Sequence, residues 1–276
     1  MTTVNESRQK IALVTGASSG IGEAIGRQLA ESGYYVFCAS RRGTMAGGGS
    51  VEGLILDVTN DASVKAGVDT VLKRSGRIDV LVNAAGFGVA GANEESSMAQ
   101  AHAIFETNFF GILRLTNAVL PAMRAQGFGR VVNISSLLGL FPAPFSGLYC
   151  ATKHALEAYS ESLDQEVSGF GVRVVLIEPG FIKTAIAEAG QSADSPLSVY
   201  DGPRARVEQS YLAMVSGAPG PETVANAVLV AISANAPRPR YAVGGSAKLV
   251  AALRRFIPRR IIAARLRKVF DIEDEL

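Results

Sequence analysis

With 276 residues, 48% of them hydrophobic and 19% charged, the chain has material for a substantial core and too little charge for a disordered or fibrous protein. The formal charge of +2 averages two unlike parts: residues 238–270 carry ten Lys/Arg and no Asp/Glu, residues 1–237 seventeen basic against twenty-one acidic side chains. Two cysteines, Cys38 and Cys150, exclude a disulfide framework, and His102 and His154 lie far apart without ligand-like company, so no metal site is expected. The polar N-terminus has no signal-peptide core, and no run approaches the ~18 apolar residues of a membrane span, so a cytoplasmic location is expected.

Residues 10–15 (K-I-A-L-V-T) read as a short buried strand, followed by the turn G-A-S-S-G-I-G over 16–22 and a helical pattern to about Ser32. Strand, glycine-rich turn and helix make a dinucleotide-binding opening. Gly16, Gly20 and Gly22 let the backbone turn sharply and approach a pyrophosphate, with Ser18, Ser19 and Ile21 between them, and free N–H groups at the helix start face phosphates. Residues 34–39 form a second strand containing Cys38, and Ser40-Arg41-Arg42 follows without an acid. An arginine there suits a phosphate dianion, although a solvated basic loop has the same composition. Residues 44–50 read as a loop, 52–56 lead into Asp57-Val58, and 61–75 form an amphipathic helix. Another buried strand, 78–82, ends in Asn83-Ala84-Ala85-Gly86.

A long helical pattern over 96–126 is interrupted by Asn108-Phe109-Phe110-Gly111, and residues 130–135 are the next strand, with Ser136 at its C-terminal end, where open α/β sheets place ligands. Residues 137–145 are unusually apolar for a loop at that edge; lining a lipophilic pocket and capping the core both fit. If a helix starts near Gly147, Tyr149 and Lys153 share a face one turn apart. A phenol normally loses its proton near pH ~10, and a neighbouring ammonium is expected to bring that value toward neutrality, which suits carbonyl reduction or alcohol oxidation. Cys150 adjoins Tyr149 and reads either as a small hydrophobe or as a reactive thiol. Residues 171–178 form a strand broken by Pro179-Gly180, and Phe181 to Thr184, with Ile182 between, follow it. From 185 to 217 the pattern weakens, as in a lid or binding loop. Helix returns over 221–235 and a short strand over 240–243. Residues 246–269 keep a helical period through Leu249, Leu253, Phe256, Ile261, Leu266 and Val269, broken at Pro258, with basic residues between. Such a segment can lie on an anionic membrane or pack its apolar face on the body or a partner subunit.

The spacing T-G-x-x-x-G-x-G, followed in order by N-A-A-G, Asn108, Ser136 and Tyr149-x-x-x-Lys153, resembles the short-chain dehydrogenase/reductase family over roughly residues 8–240. The resemblance implies that Ser136 is a catalytic hydroxyl and Tyr149 the acid/base. It implies that Lys153 holds the nicotinamide ribose and that Asn108 anchors a water connecting the lysine to solvent. It puts Ser40 where NAD-using members carry aspartate, with Arg41, and less certainly Arg42, on a 2′-phosphate. Asp57 and Val58 then lie against the adenine, residues 83–86 beside the ribose, and Pro179, Gly180, Ile182 and Thr184 beside the nicotinamide. The tail resembles that of the hydroxysteroid/retinol dehydrogenase-like branch.

The expected fold is one doubly wound α/β domain of the Rossmann type, with about seven parallel strands and helices on both faces. Residues 1–245 form the catalytic domain, with a variable loop at about 181–217, and 246–276 a helical extension. The expected activity is NADP(H)-dependent interconversion of a carbonyl and an alcohol on a lipophilic small molecule, by a homodimer or homotetramer. Peripheral membrane contact through 246–269 stays open, and nothing resembles a nucleic-acid reader. The alternatives are an NAD-dependent alcohol or hydroxysteroid dehydrogenase and, in a different class, a non-catalytic dinucleotide sensor.

Overall fold

A computed structural model describes residues 9–43, 49–184, 190–244 and 258–272. Most of the loop expected at 44–50 and the first half of the basic segment, including Leu249, Leu253 and Phe256, lie outside the described residues.

Seven parallel strands form the central sheet: β1 (Ile11–Thr15), β2 (Tyr35–Ser40), β3 (Val51–Ile55), β4 (Val80–Asn83), β6 (Gly129–Ile134), β7 (Val172–Pro179) and β9 (Arg240–Val243). Their spatial order is β3-β2-β1-β4-β6-β7-β9. β1, β4 and β6 are buried at every residue, which is why they read as apolar runs without alternation. The two-residue period still sorts the side chains. Ala12, Val14, Val36, Val82, Val132 and Ile177 pack beneath α1 (Gly20–Glu31) and α7 (Glu222–Ser233). Leu13, Phe37, Leu81, Val131 and Val174 pack against α2 (Asp61–Ser75), α4 (Gly111–Gln126) and α5 (Gly147–Val167). The chain winds outward from β1 to β3 and restarts at β4 on the other side of β1, leaving a crevice at the C-terminal ends of β1 and β4.

Three features depart from the sequence reading. The helical stretch over 96–126 is α3 (Met98–Phe105) joined to α4 through a π-helical turn, Glu106–Phe110. The segment expected to be irregular over 185–217 contains α6 (Asp201–Ser216). Gly202-Pro203 signals a turn, but proline in the first turn of a helix forfeits only an N–H that has no intrahelical partner there. Arg204 fixes this start by pairing with Asp201 and with the wholly buried Glu95. A two-stranded ladder of β5 (Val89–Ala90) and β8 (Gln191–Ser192) ties the same segment to the loop after β4.

The tail resumes at Pro258 with α8 (Arg259–Val269). Leu266, Phe270 and Ile272 pack with Val207 and Met214 of α6 and with Ala143 and Cys150, so this part docks on the body. Ile261 and Val269, expected on the apolar face, are about half exposed.

Candidate active site

The glycine turn is held by contacts that side chains would prevent. Gly16 has φ +64°, and a Cβ there would sit 2.8 Å from Ala84 O and Ala85 N. A Cβ on Gly22 would enter the Gly16 carbonyl, so α1 can seat directly on the turn. Thr15, which the sequence reading passed over, is the hub beneath: its hydroxyl accepts the N–H groups of Ala84 (3.1 Å) and Ala85 (3.2 Å). A polar residue closing an otherwise apolar strand was the available signal. Ser19 is the exposed N-cap residue of α1, and Ser18, Gly20 and Ile21 are partly exposed around it.

At the end of β2, Ser40 Oγ is buried and finds no hydrogen-bond partner among the described residues. An orphaned buried hydroxyl requires a reason. Arg41 and Arg42 beside it are exposed. Asp57 accepts from Thr59 N (2.9 Å) and Oγ1 (2.8 Å). These bonds, Thr59 N–H first, hold its carboxyl below the usual range, and Arg41 and Arg114 add to this. Val58 is buried against Gly111, and its carbonyl accepts from Arg114 (2.7 Å).

Residues 83–86 divide by role. The Asn83 side chain is buried and donates to Asn133 Oδ1 (2.8 Å), whose own amide donates to Ser160 Oγ (2.8 Å). That chain of side chains ties β4, β6 and α5 together and turns the Asn83 side chain into the sheet. Asn108 occupies the π turn, a feature often found at functional sites. Its Oδ1 accepts from Phe87 N (3.0 Å), and its Nδ2 donates to Phe87 O (2.8 Å) and Thr152 Oγ1 (3.3 Å). The carboxamide clamps the loop after β4 to α5. A Cβ on Gly86 would lie 3.0 Å from Asn108 Oδ1 and 4.0 Å from Lys153 Nζ, so the loop, Asn108 and the lysine meet here.

The geometry brings Ser136, Tyr149 and Lys153 together at the C-terminal edge of the sheet. Ser136 Oγ accepts from Leu138 N (3.1 Å), and its hydroxyl lies near enough to the Tyr149 phenol to lower its pKa. Lys153 Nζ lies 5.6 Å from the centroid of the Tyr149 ring and donates to Ile134 O (2.9 Å). The phenol differs from expectation: burial pushes it up to about 12, against the Ser136 hydrogen bond and with Tyr211 nearby adding to the rise. Burial brings Lys153 down to about 8, opposed by Glu157. Desolvation thus outweighs the lowering by Ser136, and the expected fall of the phenol toward neutrality is not seen. Cys150 is buried, burial raises its thiol, and its sulfur accepts from Ala143 N (3.4 Å), which is a packing role.

Pro179, the last residue of β7, is buried, and Gly180 N just beyond it donates to Val243 O (2.9 Å). Ile182 joins the core beneath α7, while Thr184 is partly exposed. Two aromatic pairs join the segments after β7 and before α5 to residues 198–216, which we call the mouth of the site: Phe181 meets Tyr211 of α6 edge-on at 5.5 Å, and Phe145 meets Tyr200 at 6.0 Å. Phe145 has φ +57°, strained for a bulky residue and of the kind that collects at functional sites.

A family model described as short chain dehydrogenase matches residues 10–194. The 3-ketodihydrosphingosine reductase of Bacteroides thetaiotaomicron is 41% identical over 179 residues, covering 65% of this chain and 66%, just under two thirds, of that one. A short-chain dehydrogenase from Streptomyces avermitilis superposes with a TM-score of 0.80 at 36% identity, covering 97% of this chain and 99% of the other. A short chain dehydrogenase/reductase from Burkholderia phymatum, solved with NAD, gives 0.78 at 28% identity, covering 93% and 95%.

Proposed function

The chain belongs to the short-chain dehydrogenase family, and from that premise we propose that it is an NADP(H)-dependent reductase of lipophilic carbonyl compounds. The observation that carries this reading is the convergence of Ser136, Tyr149 and Lys153 at the C-terminal edge of the sheet, with Lys153 Nζ 5.6 Å from the Tyr149 ring centroid and a glycine turn at the end of β1. Bound NADPH supplies the hydride that reaches the carbonyl carbon. As the C=O π bond opens, its electron pair moves to oxygen, and Tyr149 Oη delivers the proton. A phenol near 12 stays protonated at neutral pH and is poised as a donor. The Ser136 hydroxyl is aimed where negative charge develops on the substrate oxygen, and Lys153 stabilises the phenolate left behind.

Three features support the cofactor. The cradle at Gly16 and Gly22 admits a pyrophosphate close to backbone. The orphaned Ser40 hydroxyl and the Arg41 guanidinium suit a 2′-phosphate. No acid stands at the β2 end to repel it. The Burkholderia relative was solved with NAD, so cofactor choice is the part that experiment must decide. The aromatic mouth and the apolar cluster under α8 support a lipophilic substrate, and the relative named a 3-ketodihydrosphingosine reductase is compatible with it.

The test is NADPH and NADH oxidation over a panel of lipophilic and small polar carbonyls. Tyr149→Phe should lower kcat by roughly 10²–10⁴-fold. Arg41→Ala should weaken NADPH by about tenfold or more and leave NADH nearly unchanged. Full turnover in Tyr149→Phe would sink the mechanism, and equal losses for both cofactors in Arg41→Ala would sink the NADP assignment.

A further inference from the structure

A buried charge cluster sits behind the site, and the mechanism above does not use it. Tyr149, Lys153 and Glu157 form a ladder at four-residue spacing along one face of α5, and Glu157 is only 5% exposed. Its carboxylate accepts from the Ser135 hydroxyl and pairs with Arg240 of β9. Arg240 also pairs with Glu178 of β7, itself 1% exposed, at 2.5 Å, and with Glu161 of α5 at 2.8 Å. The Lys153 ammonium donates to Ile134 O, next to Ser135. The groups around Glu157 are therefore Lys153 and Glu161 on its own helix, Ser135 after β6, Glu178 on β7 and Arg240 on β9.

Charge counting gives the cluster a purpose. Glu178 and Glu161 already more than neutralise Arg240. A third carboxylate is unfavourable in an interior unless another cation faces it. The available cation is Lys153. We propose that Glu157 is a positioning residue for Lys153: its buried carboxylate supplies the negative charge that keeps the lysine an ammonium where the enzyme works. Burial and Glu178 push Glu157 up to about 7, with Ser135 and Arg240 opposing, while Lys153 is brought down to about 8 even with Glu157 raising it. Removing the carboxylate removes the influence that raises the lysine, which then falls further and loses part of its charge at neutral pH.

This inference rests on the roles assigned to Tyr149 and Lys153, but it can be tested apart from them. Lysine side chains labelled with 13C and 15N are titrated by NMR in the NADP⁺-bound protein, with Lys153→Met to assign the signal. Glu157→Gln should move the Lys153 midpoint down by roughly one pH unit or more. Glu157→Asp, which keeps the charge, should restore much of the shift. Ser135→Ala, which removes a bond favouring the carboxylate, should move the midpoint the same way by less and serves if Glu157→Gln does not fold. In turnover, the alkaline limb of kcat/KM for carbonyl reduction should move with the lysine. A Lys153 midpoint unmoved in both Glu157→Gln and Ser135→Ala overturns the proposal, as does a uniform loss of rate at every pH. A midpoint that moves in a protein reducing no carbonyl supports it and overturns the assigned reaction instead.

Discussion

The cofactor side and the mouth of this molecule are held by different means. Around the glycine turn, fixing is done by backbone: Gly16 against the Ala84 carbonyl, Gly22 against Gly16, and the Thr15 hydroxyl under two successive N–H groups. Around the mouth, side chains far apart in sequence act as ties. Glu95 accepts from Ala92 N and Leu197 N, both at 2.7 Å, and pairs with Arg204; Asp194 accepts from Ser97 N (2.8 Å) and Oγ (2.5 Å). Backbone seats tolerate no added atoms but need no particular charge. Side-chain ties let the mouth vary in sequence while making it sensitive to charge and pH.

The largest effect should come from the backbone seat. Gly16→Ala places a Cβ in the left-handed region and 2.8 Å from Ala84 O and Ala85 N, with no flexible side chain able to yield. Strain at such a position is on the order of 1–3 kcal/mol, before any shift of the loop after β4. We expect the thermal midpoint to fall by roughly 5–10 °C and NADPH affinity to drop by tenfold or more. A variant that keeps both would show that the seat is loose, and the contrast with the mouth would fail.

Glu95→Gln comes next. Glu95 is wholly buried, and although burial works to raise its carboxyl, the Leu197 and Ala92 N–H groups and Arg204 outweigh it and hold the value below the ordinary range. Substitution should destabilise residues 190–217 by on the order of 2 kcal/mol and raise KM for a carbonyl substrate while leaving NADPH binding in place. The sign of the pH effect follows from the lowered value. The carboxylate's contribution is complete above the ordinary carboxylate range and is lost as pH falls through the folded-state value. Glu157, whose value is raised to about 7, behaves oppositely: its contribution is complete below the ordinary range and is lost as pH rises toward 7. Acid below the ordinary carboxylate range should therefore loosen the segment that Glu95 holds, seen as earlier proteolysis within 190–217. Simultaneous loss of cofactor binding would put the weak point elsewhere.

The same division governs what could be read in the sequence. The glycine turn at Gly16 and Gly22 and the shared helix face of Tyr149 and Lys153 are legible from local spacing alone, whereas Ser136 is singled out through the family resemblance. α6 was hidden because its start depends on an ion pair between Arg204 and Glu95, more than a hundred residues apart. The side-chain partners of Asn83, Asn133 and Thr116, were not legible because they stand on neighbouring elements that only the sheet and helix packing bring together. Periodicity identified α8 as helical but could not choose which stripe faces inward, since Ile261, Leu266 and Val269 all fit an apolar pattern.

That choice of stripe is the smallest effect to test. Leu266 is partly buried against the cluster of Phe270, Val207 and Ala143, whereas Ile261 is about half exposed. Leu266→Ser removes apolar contact and brings a hydroxyl toward an apolar cluster, at about 1–2 kcal/mol locally. Because α8 is docked through few side chains, that should appear as local opening. Tryptic cleavage within the arginine-rich 259–268 stretch should accelerate by roughly tenfold, since about 1.4 kcal/mol is a tenfold change in the open population. Ile261→Ser, on the open side, should change cleavage by no more than about twofold. Equal acceleration in both variants would mean that α8 turns both stripes toward protein, and the tail would then belong to the mouth as firmly as α6 does.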